Sequence, residues 1–253
     1  LIISYSSFLY AIIYVKGCLT MESDELDILM EEWQEYERNR LGNEFKYFIN
    51  DGFIDKKAWL NQTGVKICYF LKEAYHDENN DTPEHVLNWI RDCIQKDGPT
   101  HMWKKVSTWT QAIKLAELLE IPVYNYKEIY TNCKKRTREI AFVNIKKSNG
   151  LSHSDSEELM KLVEDKQTAE YLKKELEIIN PDVIVCGNTF KYLQKILGNE
   201  LTGEKPNEKY FAFWKDRIII NYYHPASRTS QIVNFYALSA IYKAAINESN
   251  HSL

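Results

Sequence analysis

The sequence predicts an α/β fold, a three-layer α/β/α sandwich around a central, mainly parallel four-stranded sheet. Three observations predict it. Four short runs, residues 66–71, 140–145, 183–186 and 218–223, are apolar almost throughout, as strands buried on both faces are. Segments with helical spacing separate them, and strand–helix alternation favours a parallel sheet covered on both sides. The chain has 253 residues, enough for one large α/β domain. No internal repeat or low-complexity linker divides it, so a single domain is expected over 21–253.

Residues 1–15 are apolar, but they lack a basic leading segment and a clear cleavage site and are too short to span a bilayer. Residues 1–20 therefore read as an upstream extension or disordered leader outside the fold, with a membrane-tethered form as the alternative. From Ser23 to about Arg40 the pattern is helical, with Ser23 as the N-cap and Leu26, Leu29, Trp33 and Tyr36 on one face. Residues 42–61 read as irregular, with a turn at Asn50-Asp51-Gly52. The first strand follows. Thr82-Pro83-Glu84 then supplies a cap, a first-turn proline and an acid for a helix that buries Leu87, Ile90 and Ile94 and stops at Gly98. Another helix is expected over about 102–119.

In the second half, the strand at 140–145 is followed by a polar loop and two helical segments, the second ending at Asn180-Pro181. The 183–186 strand leads through Gly187-Asn188-Thr189 into a helix closing at Gly198. Residues 210–214, the 218–223 strand and a C-terminal helix over about 230–246 complete the order.

The formal charge of −4 gives no reason to expect nucleic acid, so any DNA contact needs a local basic patch. The five cysteines are odd in number and never form a C-x-x-C pair, which fits a reduced, cytoplasmic, metal-free protein.

Polar groups at the strand ends carry the functional reading. Pro225 has no amide proton to donate and ends the last strand, which leaves His224 at its carboxyl end and Ser227 and Arg228 on the loop. Glu73, Asn144 and Asn188 occupy the same place on the other three strands, and ligands of open α/β sheets bind at that edge. A carboxylate, an amide and an imidazole together suit hydrolysis of a bond whose leaving group is a planar anion with hydrogen-bonding edges. Taken singly, Glu73 reads as a cap or ion-pair partner, Asn144 as a turn former and Asn188 as an N-cap.

The order strand–Glu73-Ala74, strand–Asn144, then Ile179-x-Pro181-x-Val183-Ile184-Val185-x-Gly187, then His224-Pro225-Ala226 resembles the uracil-DNA glycosylase superfamily, over about residues 66–245. The branch most similar is the one carrying an iron–sulfur cluster. Its cluster cysteines fall on Ser148 and about Ala169, so no cluster, metal or other cofactor is expected. The resemblance implies the uracil-DNA glycosylase form of the sandwich and two catalytic residues. Glu73 would activate or orient water, and His224 would stabilise the departing base. Asn144 would read a base flipped out of the stack. Trp103 falls where the family places a stacking ring; from the residues alone it reads equally as core.

The family's first motif, Gly-Glu-Ala-Pro-Gly, stands here as Lys72-Glu73-Ala74-Tyr75-His76. Long polar side chains replace small ones, and Tyr75 and His76 are expected to touch the base. Lys147, Ser227 and Arg228, beside the crevice, are expected to meet DNA phosphates. The partner is thus DNA, single- or double-stranded, and the chain is expected to act as a monomer. The base stays open between plain uracil and a hypermodified base of foreign DNA, such as a phage genome. A binding module that has lost catalysis and a hydrolase of small nucleoside-like molecules are the alternatives.

Overall fold

The computed structural model describes residues 24–73, 101–120, 122–150, 154–203 and 210–251. The leader at 1–20, the helix expected over 82–98 and the loop residues Tyr75 and His76 lie outside them. Helix α1 (Glu25–Leu41) is capped by Asp24, whose carboxylate accepts from the Leu26 N–H, one residue later than the cap expected at Ser23. Glu25 and Asp27 fill its first turn, where the helix dipole favours negative charge. The stretch read as irregular holds a short strand, β1 (Gly52–Phe53), and a short helix, α2 (Lys56–Asn61), capped by Asp55. β2 (Ile67–Glu73) comes next.

After α3 (His101–Leu118) comes a helix the sequence reading missed, α4 (Tyr126–Arg138). Asn125 caps it by accepting from the Glu128 N–H at 3.2 Å. An Asn three residues before a Glu was the available signal. β3 (Ile140–Lys146) leads to α5 (Ser156–Glu164) and α6 (Lys166–Ile179), which share Asp165 as C-cap of the first and N-cap of the second. Asn180 ends α6 in the left-handed region at φ 48°, a conformation asparagine tolerates better than most residues. β4 (Val183–Gly187), α7 (Phe190–Leu197), β5 (Leu201–Thr202), β6 (Phe211–Trp214), β7 (Arg217–Tyr222) and α8 (Gln231–His251) follow.

Among the described residues the strands form a seven-stranded sheet in the order β1-β3-β2-β4-β7-β6-β5. The four expected strands are its parallel centre, with Tyr69 level with Phe142 and Val185, and Val185 level with Ile220. β1 joins β3, β6 joins β7 and β5 joins β6, each antiparallel. The sheet is therefore larger than the four strands predicted. β1 and β5 are two residues long, too short to carry any alternation a sequence could display.

Alternating side chains on the central strands enter two cores. Cys68, Phe70, Ala141, Val143, Ile184 and Cys186 face α1, α5, α6 and α7. Ile67, Tyr69, Ile140, Phe142, Val183, Val185 and Ile220 face α3, α4 and α8. Helices thus cover both faces, and this is why the strand sequences are apolar in both registers. Cys68, Cys133 and Cys186 are buried free thiols, and burial pushes each thiol pKa up. No helix among the described residues is long and apolar enough to cross a membrane.

Candidate functional site

Because β3, β2, β4 and β7 run in one direction, the residues that close them meet at one edge. Glu73, the last residue of β2, is level with Lys146 of β3, and its carboxylate lies 4.0 Å from Lys146 Nζ. Both side chains are buried, and Lys146 Nζ also stands 2.7 Å from Glu158 on α5.

β4 ends at Gly187, packed beneath the next strand's turn. A Cβ there would stand 2.8 Å from Leu71 Cδ2 and 3.3 Å from Pro225 Cδ, so the turn can approach only because the side chain is absent. Asn188 is not the helix cap expected of it. It sits at φ 59° and donates its N–H to Tyr222 O at 2.9 Å, while Thr189 donates its hydroxyl to Phe70 O at 2.6 Å. These bonds lock the ends of β2, β4 and β7 together.

His224 follows β7 on a turn stitched by its own backbone. Ser227 N–H donates to His224 O at 2.9 Å, and Lys105 of α3 donates to Ser227 O. The Ala226 N–H donates to His224 Nδ1 at 3.1 Å. Burial holds the imidazole below the ordinary histidine range, and the charge of Lys72 adds to the effect. A neutral ring that accepts at Nδ1 carries its proton on Nε2, where it is a donor. Ser227 is half-buried and shares a hydroxyl hydrogen bond with Thr229, and Arg228 is exposed.

Asn144 is buried and held on several sides. Asp51 Oδ2 accepts from its backbone N–H at 2.7 Å and from Nδ2 at 2.9 Å. Lys147 donates to Asp51 Oδ1 at 2.5 Å and to Asn144 O at 3.2 Å. It also lies 2.9 Å from Glu175 on α6 and 4.7 Å from the centroid of a Trp33 ring. Burial alone would lower the Lys147 pKa, but Asp51 and Glu175 raise it. Burial first and the charge of Asp51 second push the Glu175 carboxyl well above its usual range.

Two expectations are corrected here. Lys147 has no exposed side-chain surface, so it is not placed to meet a phosphate; it is the buried counter-ion of Asp51. Trp103 is core, packed on Phe142 with ring centroids 5.5 Å apart, rather than an open stacking surface. Tyr75 and His76, expected at the base, fall outside the described residues. Ser148, at a cluster-cysteine position of the resembled family, instead donates to Glu37 at 2.7 Å in a buried contact.

Sequence reasoning missed Asp51, Lys146 and Glu175. Glu175 had a signal, since it stands within the apolar face set by Leu172, Leu176 and Ile179 at helical spacing. A carboxylate inside such a face needs a buried partner. Among the described residues no group of three or more ligating side chains is arranged to hold a metal ion. No protein-family model matches the chain, and a search of curated proteins finds no match either.

Proposed function

We propose that this chain is a DNA glycosylase that hydrolyses the N-glycosidic bond of a base flipped out of the stack and leaves an abasic site. One observation carries the reading: Glu73 at the end of β2, Asn144 two residues before the end of β3 and His224 two residues past β7, from three separate stretches of sequence, lie toward the same edge of three parallel strands. In the proposed reaction the Glu73 carboxylate orients the attacking water and stabilises positive charge building on the sugar. The neutral His224 ring donates from Nε2 to the departing base as negative charge grows there. Asn144 reads the base edge. Arg228 and the Ser227 hydroxyl lie on the loop where a backbone phosphate would be held.

A second reading, a binding module of the same fold without catalysis, is favoured by the closed state of the carboxylate, which is buried beside Lys146. One experiment separates the two. The purified chain is incubated with DNAs carrying uracil, other deaminated bases or bulky modified pyrimidines, and abasic sites are scored on each. Release of any of these bases supports the glycosylase. Salt-sensitive binding without release from any of them supports the module.

A further inference from the structure

We infer that α4 carries a platform for single-stranded DNA outside the crevice, with bases stacking on Tyr126 and Tyr130 and phosphates meeting Lys127 and Lys135. Naming DNA rests on the proposed reading of the crevice; the stacking surface does not depend on it.

The composition of this helix is uneven. It holds five cations, Lys127, Lys134, Lys135, Arg136 and Arg138, against one acid, Glu128, on a chain whose formal charge is −4. Two of the cations serve the fold. Arg136 stands 2.7 Å from the buried Glu139, and Arg138 binds Asp55. The three lysines are exposed. Cations in the last turn also complement the helix dipole, but Lys127, in the first turn, is opposed by it. Among the described residues Lys127 has no ion-pair partner, and Lys135 reaches Glu139 only at 3.8 Å with its side chain 66% exposed.

Tyr126 and Tyr130 stand one turn apart, 67% and 62% exposed. Their rings stack with centroids 6.1 Å apart and planes 22° from parallel. Scattered exposed rings are ordinary. Two that stack on each other, with Lys134 one turn further along, present flat apolar faces within a basic surface. Tyr236 of α8 widens it: the ring is exposed, and its hydroxyl accepts from the Tyr124 N–H at 3.2 Å, just before the pair begins. Exposed Ile232 and Val233 on the first turn of α8 link Tyr236 in sequence to Arg228 on the His224 loop.

This chemistry selects the occupant. A duplex hides its base faces inside its own stack, so exposed rings gain little from it. Lysines around the rings argue against a protein partner, because lysine is depleted from the centres of protein interfaces. A single strand offers free base faces and phosphates together, and every base has a face that stacks on an aromatic ring.

The test uses the full chain and anisotropy titrations with a labelled oligothymidylate, its duplex with oligoadenylate, and an oligouridylate. Wild type is expected to bind the oligothymidylate most tightly. Tyr126→Ala combined with Tyr130→Ala should weaken that binding about tenfold or more at an unchanged melting temperature, and the two Tyr→Phe changes together should restore it. Lys127→Ala and Lys135→Ala should each reduce the salt slope by about 0.7. On a uracil-containing single strand, the double alanine variant should raise KM and leave kcat unchanged. Wild-type affinity in that variant, a loss that phenylalanine does not restore, or tighter binding to the duplex overturns the inference. Tighter binding to the oligouridylate overturns the choice of DNA. A changed oligomeric state with DNA binding intact would make this face a protein contact and overturn it too. Ring-dependent binding without base release from any strand sinks the glycosylase reading and leaves the platform standing.

Discussion

On the β2–β3 side of the crevice, ionisable side chains are buried with partners of opposite sign, Glu73 beside Lys146 and Asp51 beside Lys147. On the β7 side, His224 is half-buried as a neutral ring on a turn held by backbone hydrogen bonds. The difference separates fold from chemistry. Half of a buried ion pair is far worse for stability than none, because the remaining charge has neither water nor partner. A neutral ring can be removed with little more than the loss of its packing. Removing the cation of a buried pair on the first side should therefore act through stability, and substitutions at His224 through whatever the site does.

The largest effect expected from this contrast is on stability. Lys147→Ala leaves Asp51 and Glu175 buried without their cation and should destabilise the chain by about 3–5 kcal/mol. Denaturant titration checks it. A loss under about 1 kcal/mol would put this cluster in the class of exposed pairs.

Next comes chemistry. Under the proposed function, Glu73→Gln and His224→Ala should each slow base release by about a hundredfold or more. His224→Ala should keep the wild-type melting temperature at neutral pH. The sign of its pH dependence follows from the lowered native pKa. The unfolded chain takes up the His224 proton near pH 6.5, its ordinary value, before the native chain does. That contribution to stability is present above pH 6.5 and is lost as pH falls toward the native value. His224→Ala should remove this slope, and an unchanged acid limb would disprove the partial burial of a neutral ring.

A smaller effect is expected at the exposed loop. Arg228→Ala should weaken DNA binding without changing its base preference and reduce the salt slope by about one. An unaltered slope in anisotropy titrations would remove Arg228 from the interface.

The smallest effect is expected from Glu175→Gln, since the carboxyl it replaces already favours its neutral form. In the wild type this raised group favours folding at low pH, and the advantage is lost as pH rises from the unfolded value toward the native one. The variant lacks that loss, so its stability relative to wild type should improve as pH rises. A difference that shrinks with pH would contradict the assignment.

The central strands were legible in the sequence because burial on both faces leaves no polar alternation in runs such as Val183-Ile184-Val185. The placement of Glu73 and His224 at a common edge followed from strand direction alone. The hydrogen bonds from Asn144 to Asp51 were not legible, because Asp51 is 93 residues away and directly precedes a strand of only two residues. Lys147 was misread for a related reason. A lysine after a strand is ordinarily solvated, and only the acid within the α6 apolar face hinted otherwise. Trp103 belonged to a helix whose inner face could be assigned only once its partners were known.

The buried thiols give the molecule a built-in clock. Cys68 and Cys186 lie in the core beneath α1, α5, α6 and α7, and Cys133 lies on α4 across the sheet. Reagents attack the thiolate, which burial disfavours at all three positions. Alkylation at each site therefore waits for the layer above it to open. Peptide-resolved labelling rates would report the two helical layers separately and show which opens first when the native protein fluctuates.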